Sequence, residues 1–188
     1  MISVIILTKN EEKNILDCLE SVSWADEIVV LDDNSEDRTL DVIKSLSIKK
    51  IKTYSKALDE DFAAQRNYAL SKSTKEWVLF LDADERVSKD LREEINTIII
   101  NKKDNNIDGY YIKRKDFIWG KILQHGETSN IKLLRLAKRD GGAWIGKVHE
   151  IWLVTGKTDE LESHILHYSH QNINEFLGEI NFYSTIRA

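Results

Sequence analysis

Trp77-Val78-Leu79-Phe80-Leu81-Asp82-Ala83-Asp84-Glu85 runs from a continuous apolar stretch straight into a cluster of carboxylates. An unbroken apolar run of that length suits a strand buried on both faces of a sheet. Two more stretches have the same design. Ile28-Val29-Val30-Leu31 leads into Asp32-Asp33-Asn34-Ser35, and Ser3-Val4-Ile5-Ile6-Leu7 leads into Thr8-Lys9-Asn10-Glu11. In open α/β sheets, ligands bind in the crevice beyond the carboxyl ends of the strands. Three polar-tipped strand ends can therefore build one site.

Working outward, strands are predicted at 4–7, 28–31, 48–54 and 77–81, with helices between them. A helix over 11–23 carries Ile15, Leu16, Leu19 and Val22 at helical spacing, with Asn10 as its cap. A second over 35–46 carries Leu40, Ile43 and Leu46, and a third covers 62–71. A fourth over 88–101 starts at Ser88 and carries Leu91, Ile95, Ile98 and Ile99. Alternating short strands and amphipathic helices imply an α/β fold, Rossmann-like, with a mostly parallel sheet.

The pattern changes after residue 101. Residues 102–108 read as a turn, and 109–114, 131–137 and 151–154 read as strands. Residues 174–186 read as a helix with Phe176, Leu177, Ile180 and Tyr183 apolar; it is expected to dock on the domain, since no basic stripe borders that face. The chain stops there abruptly, as a truncated chain would. No linker is visible, so residues 1–188 are expected to form one domain: a nucleotide-type half over 1–101 and a strand-rich half over 102–188.

Bulk properties narrow the class. A chain of 188 residues, 41% hydrophobic and 31% charged, can bury a real core. A net charge of -5 argues against a general nucleic-acid binder, although a bound metal would let an anionic substrate approach. Cys18 is the one cysteine, so no intrachain disulfide forms; it is expected to pack on the inner face of the first helix. A reducing, cytoplasmic setting fits. No signal peptide is expected ahead of the first strand, and no apolar stretch approaches the roughly 18–20 residues of a membrane span.

The acidic tips suggest chemistry. In an extended segment Asp82 and Asp84 would point the same way. Two such carboxylates repel unless a cation lies between them, and Mg²⁺ or Mn²⁺ prefers such oxygens, with a diphosphate completing the shell. Asp32 to Asp37 can be read more simply as a helix cap. Asp37 fits that structural reading, and Asp33, at the strand tip, is the better ligand.

Four motifs in order now carry a resemblance: Ser3 to Glu11, Val30-Leu31-Asp32-Asp33-Asn34-Ser35-x-Asp37-x-Thr39, Gln65-Arg66-Asn67, and Leu81-Asp82-Ala83-Asp84. Together they resemble the family 2 glycosyltransferases, inverting enzymes of the GT-A nucleotide-diphospho-sugar-binding fold. Trp119-Gly120, Lys132-Leu133-Leu134-Arg135 and Gly146-Lys147-Val148-His149-Glu150 resemble the lipopolysaccharide-core β-glucosyltransferase branch. The resemblance implies a UDP-sugar donor, a hexose such as glucose, a saccharide acceptor on a bacterial surface glycolipid, and peripheral contact with the inner membrane face through that acceptor.

It also implies residue roles. Thr8 and Glu11 would line the nucleoside pocket, Asp33 would hydrogen-bond the base, and Arg66 would sit near the nucleotide or its phosphates. Asp82 would approach the ribose or the metal shell, and Asp84 would bind Mn²⁺ or Mg²⁺. Lys9-Asn10 departs from the commonest family pattern, in which an aromatic precedes the Asn and stacks on the base. An inverting transfer needs a base for the acceptor hydroxyl. Glu150 is the expected base, with Asp116 and Glu127 as competitors. His149 is expected to orient Glu150 or touch the phosphates.

The other features have plainer readings. His125, His164, His167 and His170 lack the company of a zinc pattern, though one of them can contact the diphosphate. Trp119, Trp144 and Trp152 read by default as core, with Trp144 the one to stack on a sugar if any does. Lys113, Arg114, Lys115, Lys132, Arg135, Lys138 and Arg139 read as a solvated basic face, or as an acceptor-side patch for phosphorylated sugars. Rival readings of the whole chain are a Mg²⁺-binding phosphoacceptor domain built on Asp32, Asp33 and Asp82, and a sugar-nucleotide-binding protein that has lost catalysis. A nucleotidyltransferase is disfavoured, because no Gly-rich phosphate loop follows the first strand.

Overall fold

β1 (Ile2–Thr8), β2 (Glu27–Asp32), β3 (Ile51–Ser55) and β4 (Trp77–Asp82) lie parallel in the order β3-β2-β1-β4. They belong to a computed structural model that describes residues 1–101, 106–118, 121–122, 131–168, 177–178 and 181. In β1, β2 and β4 the apolar residues, the half-buried Leu7 apart, are buried on both faces, which is why they read as continuous runs. β3 is shorter than expected: the predicted start at Ile48 is exposed, and the strand begins at Ile51. Pairing sets Thr8 beside Asp32 and Leu7 beside Asp82, so the three polar tips end level.

The second half completes the same sheet. β8 (Lys132–Lys138) lies antiparallel between β4 and β6 (Ile107–Ile118). β11 (Lys157–His167) runs parallel to β6, β5 (Glu85–Val87) closes the far side of β11, and β7 (Lys121–Ile122) pairs with β6. Only Ala83 and Asp84 separate β4 from β5 along the chain, yet β8, β6 and β11 lie between them in the sheet. Four strand spacings would need about 19 Å in a flat sheet. Three Cα steps reach at most about 11 Å. The sheet therefore curls until its far edge returns to the tip of β4, where the Tyr168 N–H donates to the Asp84 carbonyl at 2.9 Å.

Alternating side chains build two cores. Val4, Ile6, Ile28, Val30, Leu79 and Leu81 face one side. There they meet α1 (Ile15–Ser21), α2 (Thr39–Ser45) and α4 (Lys89–Asn101) through Ile15, Leu19, Ile43, Leu91 and Ile95. Cys18 is buried among them, as expected, and burial pushes its thiol pKa far up, so it is inert. Ser88 caps α4, its hydroxyl accepting from the Leu91 N–H at 3.2 Å.

Ile5, Val29, Leu31, Val78 and Phe80 face the other side, against α3 (Phe62–Lys72) and the hairpin of β9 (Gly142–Ile145) and β10 (Ile151–Val154). Trp144 and Trp152 stack on each other with ring centroids 5.4 Å apart, and each meets Phe80 edge-on at 5.0 Å. Such pairs add about 0.5–1.5 kcal/mol each beyond burial. The suggestion that Trp144 stacks on a sugar is thus overturned: it is a core side chain. Gly142 is required here, since a Cβ would collide with the Leu153 carbonyl oxygen.

Three local expectations change for long-range reasons. The first helix starts at Ile15, not residue 11, and Asn10 does not cap it. Instead Asn10 adopts a φ of 55° and its Oδ1 accepts from the Glu36 N–H at 2.8 Å, tying the loop after β1 to the loop after β2. The second helix likewise shrinks to Thr39–Ser45. The segment 174–186, including Phe176, Ile180 and Tyr183, lies outside the described residues except for Leu177, Gly178 and Asn181. No helix among the described residues is long and apolar enough to cross a membrane.

Candidate active site

The loops after β1 and β2 are zipped together by side chains. Asp37 accepts from the Glu12 N–H at 3.0 Å, the Thr39 N–H at 2.9 Å and the Thr39 hydroxyl at 2.5 Å. Thr39 in turn accepts from the Glu11 N–H at 2.8 Å. Asp37 is therefore structural, as its sequence reading held. These bonds hold Thr8, Asp33 and Glu11 near one another at the strand tips. Thr8 is buried with a hydroxyl that has no hydrogen-bond partner among the described residues. Glu11 Oε2 accepts from Asn14 Nδ2 at 2.8 Å. Asp33 lies between the tips: Oδ1 accepts from the Leu58 N–H at 2.8 Å, and Oδ2 pairs with Lys9 Nζ at 2.8 Å.

At the tip of β4, Asp82 is clasped by two buried guanidiniums. Arg66, from α3, donates through Nη2 to Oδ1 at 3.1 Å; Arg135, from β8, donates through Nη2 to Oδ2 at 2.7 Å. Burial works against the charge on Asp82, but Arg135 and Arg66 hold its pKa below the usual carboxylate range. Beneath it, Glu85 is fully buried and accepts from the Asp82 N–H at 2.9 Å. Burial pushes the Glu85 pKa up, against the pull of Arg135 and with a push from Asp82 and Asp84.

Arg66 also reaches the second half, donating through Nε to Glu150 Oε1 at 2.7 Å while its guanidinium lies 4.7 Å from the Trp144 ring centroid. Two reciprocal bonds between Asn67 and Trp144, at 2.8 and 2.9 Å, lock α3 to the hairpin. Glu150 thus faces the β4 tip across the buried Arg66. Arg66, expected near the nucleotide or its phosphates, has a side chain 7% exposed that spans two carboxylates. His149 lies in the turn before Glu150, exposed, with φ of 58°.

Asp82 and Asp84 do not share one extended segment. Asp84 lies in the turn between β4 and β5, and its partner comes from β11: Asp84 Oδ2 is 3.0 Å from His167 Nε2. The other ring nitrogen of His167 is 2.7 Å from Asp116 Oδ1, which lies beside it in register on β6. Burial alone would push the His167 pKa down, but its bonds to Asp116 and Asp84 hold it at about 10. Asp116, a rival candidate for the base, is buried against His167 and Arg114. Glu127, His125, His170, Trp119 and Gly120 lie outside the described residues.

Would these residues suit a divalent cation? Among the described residues, no three His, Cys, Asp or Glu side chains converge as a ready-made cage. Asp82 is committed to its guanidiniums. Asp84 and His167 set one carboxylate oxygen and one ring nitrogen side by side. His167, held protonated by its two aspartates, would have to give up its Nε2 proton before the pair could hold Mn²⁺ with phosphate oxygens and water in the other positions. Mg²⁺ would take only the Asp84 oxygen. Asp116 fixes the ring from its far nitrogen, a common arrangement behind metal-ligating histidines.

The expected basic face is largely neutralised. Arg135 is buried in the clasp, Lys138 pairs with Asp108 at 2.6 Å, and Lys113 and Lys132 pair with Glu160 at 2.9 and 2.6 Å. Sequence reasoning does not single out Arg135, His167 or Lys9: Arg135 is one of seven basic residues on a face, His167 one of four histidines without a zinc pattern, and Lys9 only a departure from the family pattern. Only the return of β11 to the Asp84 turn explains His167.

Buried side-chain atoms without hydrogen-bond partners cluster at this end. Among the described residues they include Thr8 Oγ1, Asp32 Oδ1, Arg66 Nη1, Glu85 Oε1, and Nε and Nη1 of Arg135. Natural folds pair most such groups, so these are the atoms that water or a bound ligand would satisfy.

With this geometry in place, the similarities to known proteins are informative. Residues 3–154 match the family described as glycosyl transferase family 2. An uncharacterized glycosyltransferase of Rickettsia typhi is 29% identical, over all of this chain and 66% of that protein. The lipopolysaccharide core biosynthesis glycosyltransferase LpsC of Rhizobium meliloti is 27% identical, over all of this chain and 70% of that protein. The chain thus spans about two thirds of the length of the curated relatives it matches. The crystal structure of S. aureus TarS in complex with UDP-GlcNAc superposes with a TM-score of 0.65 at 19% identity, over 93% of this chain and 60% of that one. That likeness establishes the fold, GT-A as the motifs implied. The strand-rich second half and the family match together displace the phosphoacceptor reading.

Proposed function

This chain belongs to glycosyl transferase family 2, and on that premise we propose that it moves a hexose, glucose first among them, from a UDP-sugar to a saccharide. The acceptor is a bacterial surface glycolipid such as the lipopolysaccharide core, reached at the cytoplasmic face of the inner membrane. Two similarities support these finer choices: the relative named for lipopolysaccharide core biosynthesis, and the neighbour crystallised with UDP-GlcNAc. In this reading residues 1–188 act as one domain, with 1–101 holding the nucleotide-sugar and 102–188 the acceptor.

The observation that carries the mechanism is the Arg66 bridge between Asp82 and Glu150. It fixes a carboxylate from the second half opposite the strand tips of the first. Arg66 occupies Oε1 of Glu150 and leaves Oε2 to take the proton of the acceptor hydroxyl. The acceptor oxygen then bonds to the anomeric carbon as the bond to the UDP oxygen breaks, in line, with inversion. Thr8, Glu11 and Asp33 hold the nucleoside at the β1 and β2 tips, and His149 lines the donor site beside Glu150. A divalent cation held by Asp84 and His167 would offset the charge of the departing diphosphate. Asp116 keeps the His167 ring in place.

The test is transfer from UDP-glucose, and from other UDP-hexoses, to truncated lipopolysaccharide cores, comparing wild type with Glu150→Gln. Product from wild type only, with a β-linkage from an α-linked donor, is expected. Retained configuration, or equal activity in the variant, would overturn the mechanism.

A further inference from the structure

The geometry points to Lys9 as a base-reading residue that acts together with Asp33. This rests on the UDP-sugar reading and adds the chemistry by which the base is recognised. Asp33 has a side chain only 10% exposed, held at the level of the strand tips by the bond from its own N–H to the Thr8 carbonyl at 2.9 Å. The Leu58 N–H takes one of its oxygens and Lys9 the other. Lys9 itself is 60% exposed, so its stem reaches out of the protein and its head bends back to Asp33. An ammonium has three donor hydrogens and no acceptor; a carboxylate only accepts. The pair therefore presents an acceptor and a donor side by side where a nucleoside is expected.

A carboxylate alone suits an imide N–H badly, because the carbonyl oxygens flanking that N–H repel it. An ammonium beside the carboxylate removes the conflict: Asp33 accepts from the N–H, and Lys9 donates to the neighbouring carbonyl. Uracil carries that edge. The position where an aromatic would stack on the base instead carries a charged donor, so affinity is drawn from hydrogen bonding to the base edge. Such charge-assisted bonds are roughly twice as strong as neutral ones.

Calorimetric titration of UDP in Mn²⁺, on wild type, Lys9→Met and Lys9→Arg, tests this. Lys9 is exposed, so the variants should fold, which a thermal melt checks. Lys9→Met is expected to weaken UDP binding about tenfold or more, and Lys9→Arg, which keeps a donor, to weaken it only a few-fold. Equal or tighter UDP binding by Lys9→Met, with wild type binding UDP normally, would overturn the role of Lys9 and leave the UDP-sugar reading standing. Absence of UDP binding by wild type would overturn both.

Discussion

The two ends of one sheet hold buried carboxylates, and they are treated in opposite ways. At the amino ends of the strands, Glu27 accepts from the Ser3 hydroxyl at 2.6 Å, the Thr74 N–H at 2.7 Å and hydroxyl at 3.1 Å, and pairs with Lys52 at 2.8 Å. Both its oxygens are used, by partners from β1, β3 and the loop that leads into β4. At the carboxyl ends, Asp82, Glu85 and Glu150 share two guanidiniums that, among the described residues, keep N–H groups without a hydrogen-bond partner, and Asp84 faces His167 at 3.0 Å. A satisfied carboxylate holds strands together. An unsatisfied network keeps capacity for a ligand, at a cost in stability.

The sharpest way to break this contrast is at Glu150. Glu150→Gln should cut turnover about 1000-fold while changing UDP affinity less than a few-fold, measured by steady-state kinetics and calorimetry. Equal losses in both would make Glu150 a binding group. Next, Arg66→Met strands Asp82 and Glu150 without their shared partner, and should cost about 3–5 kcal/mol in urea unfolding. A loss under about 1 kcal/mol would mean that water already serves those carboxylates.

The amino end predicts a pH effect. Burial alone would raise the Glu27 pKa, but Lys52, Ser3 and Thr74 bring it down from 4.5 to about 2. Its folded value lies below its unfolded one, so its contribution is fully present above pH 4.5 and fades as pH falls towards 2. That contribution is on the order of 3 kcal/mol. Glu27→Gln should lower stability at pH 7, flatten the acid limb of the stability curve and leave UDP binding intact. An unchanged acid limb would assign that slope to other carboxylates. The smallest effect is expected at Asp84→Asn: unfolding in EDTA should stay within about 0.5–1 kcal/mol of wild type, while the rise in melting temperature with Mn²⁺ disappears.

Much of the first half was legible because buried parallel strands write themselves as apolar runs. The tips of β1, β2 and β4 followed directly, with Thr8 beside Asp32 and Leu7 beside Asp82. What failed depended on partners far along the chain. Asn10 looks like a helix cap, yet it binds the backbone of Glu36. Asp82-Ala83-Asp84 looks extended, yet the chain turns there because β5 must pair with β11. Arg135 reads as part of a solvated basic face, but the curl of the sheet buries it, whereas Trp144 is buried as its default reading as core had it. His167 meets an aspartate 83 residues earlier, and no local pattern announces that.

One titration bears most directly on the claim that the carboxyl ends form a cation-dependent nucleotide site. UDP is titrated calorimetrically into wild type and Asp84→Ala, first in Mn²⁺ and then in EDTA. Binding by wild type in Mn²⁺, lost in EDTA and lost in Asp84→Ala, is the expected result. UDP binding of equal strength in all four samples, or in none, would contradict it.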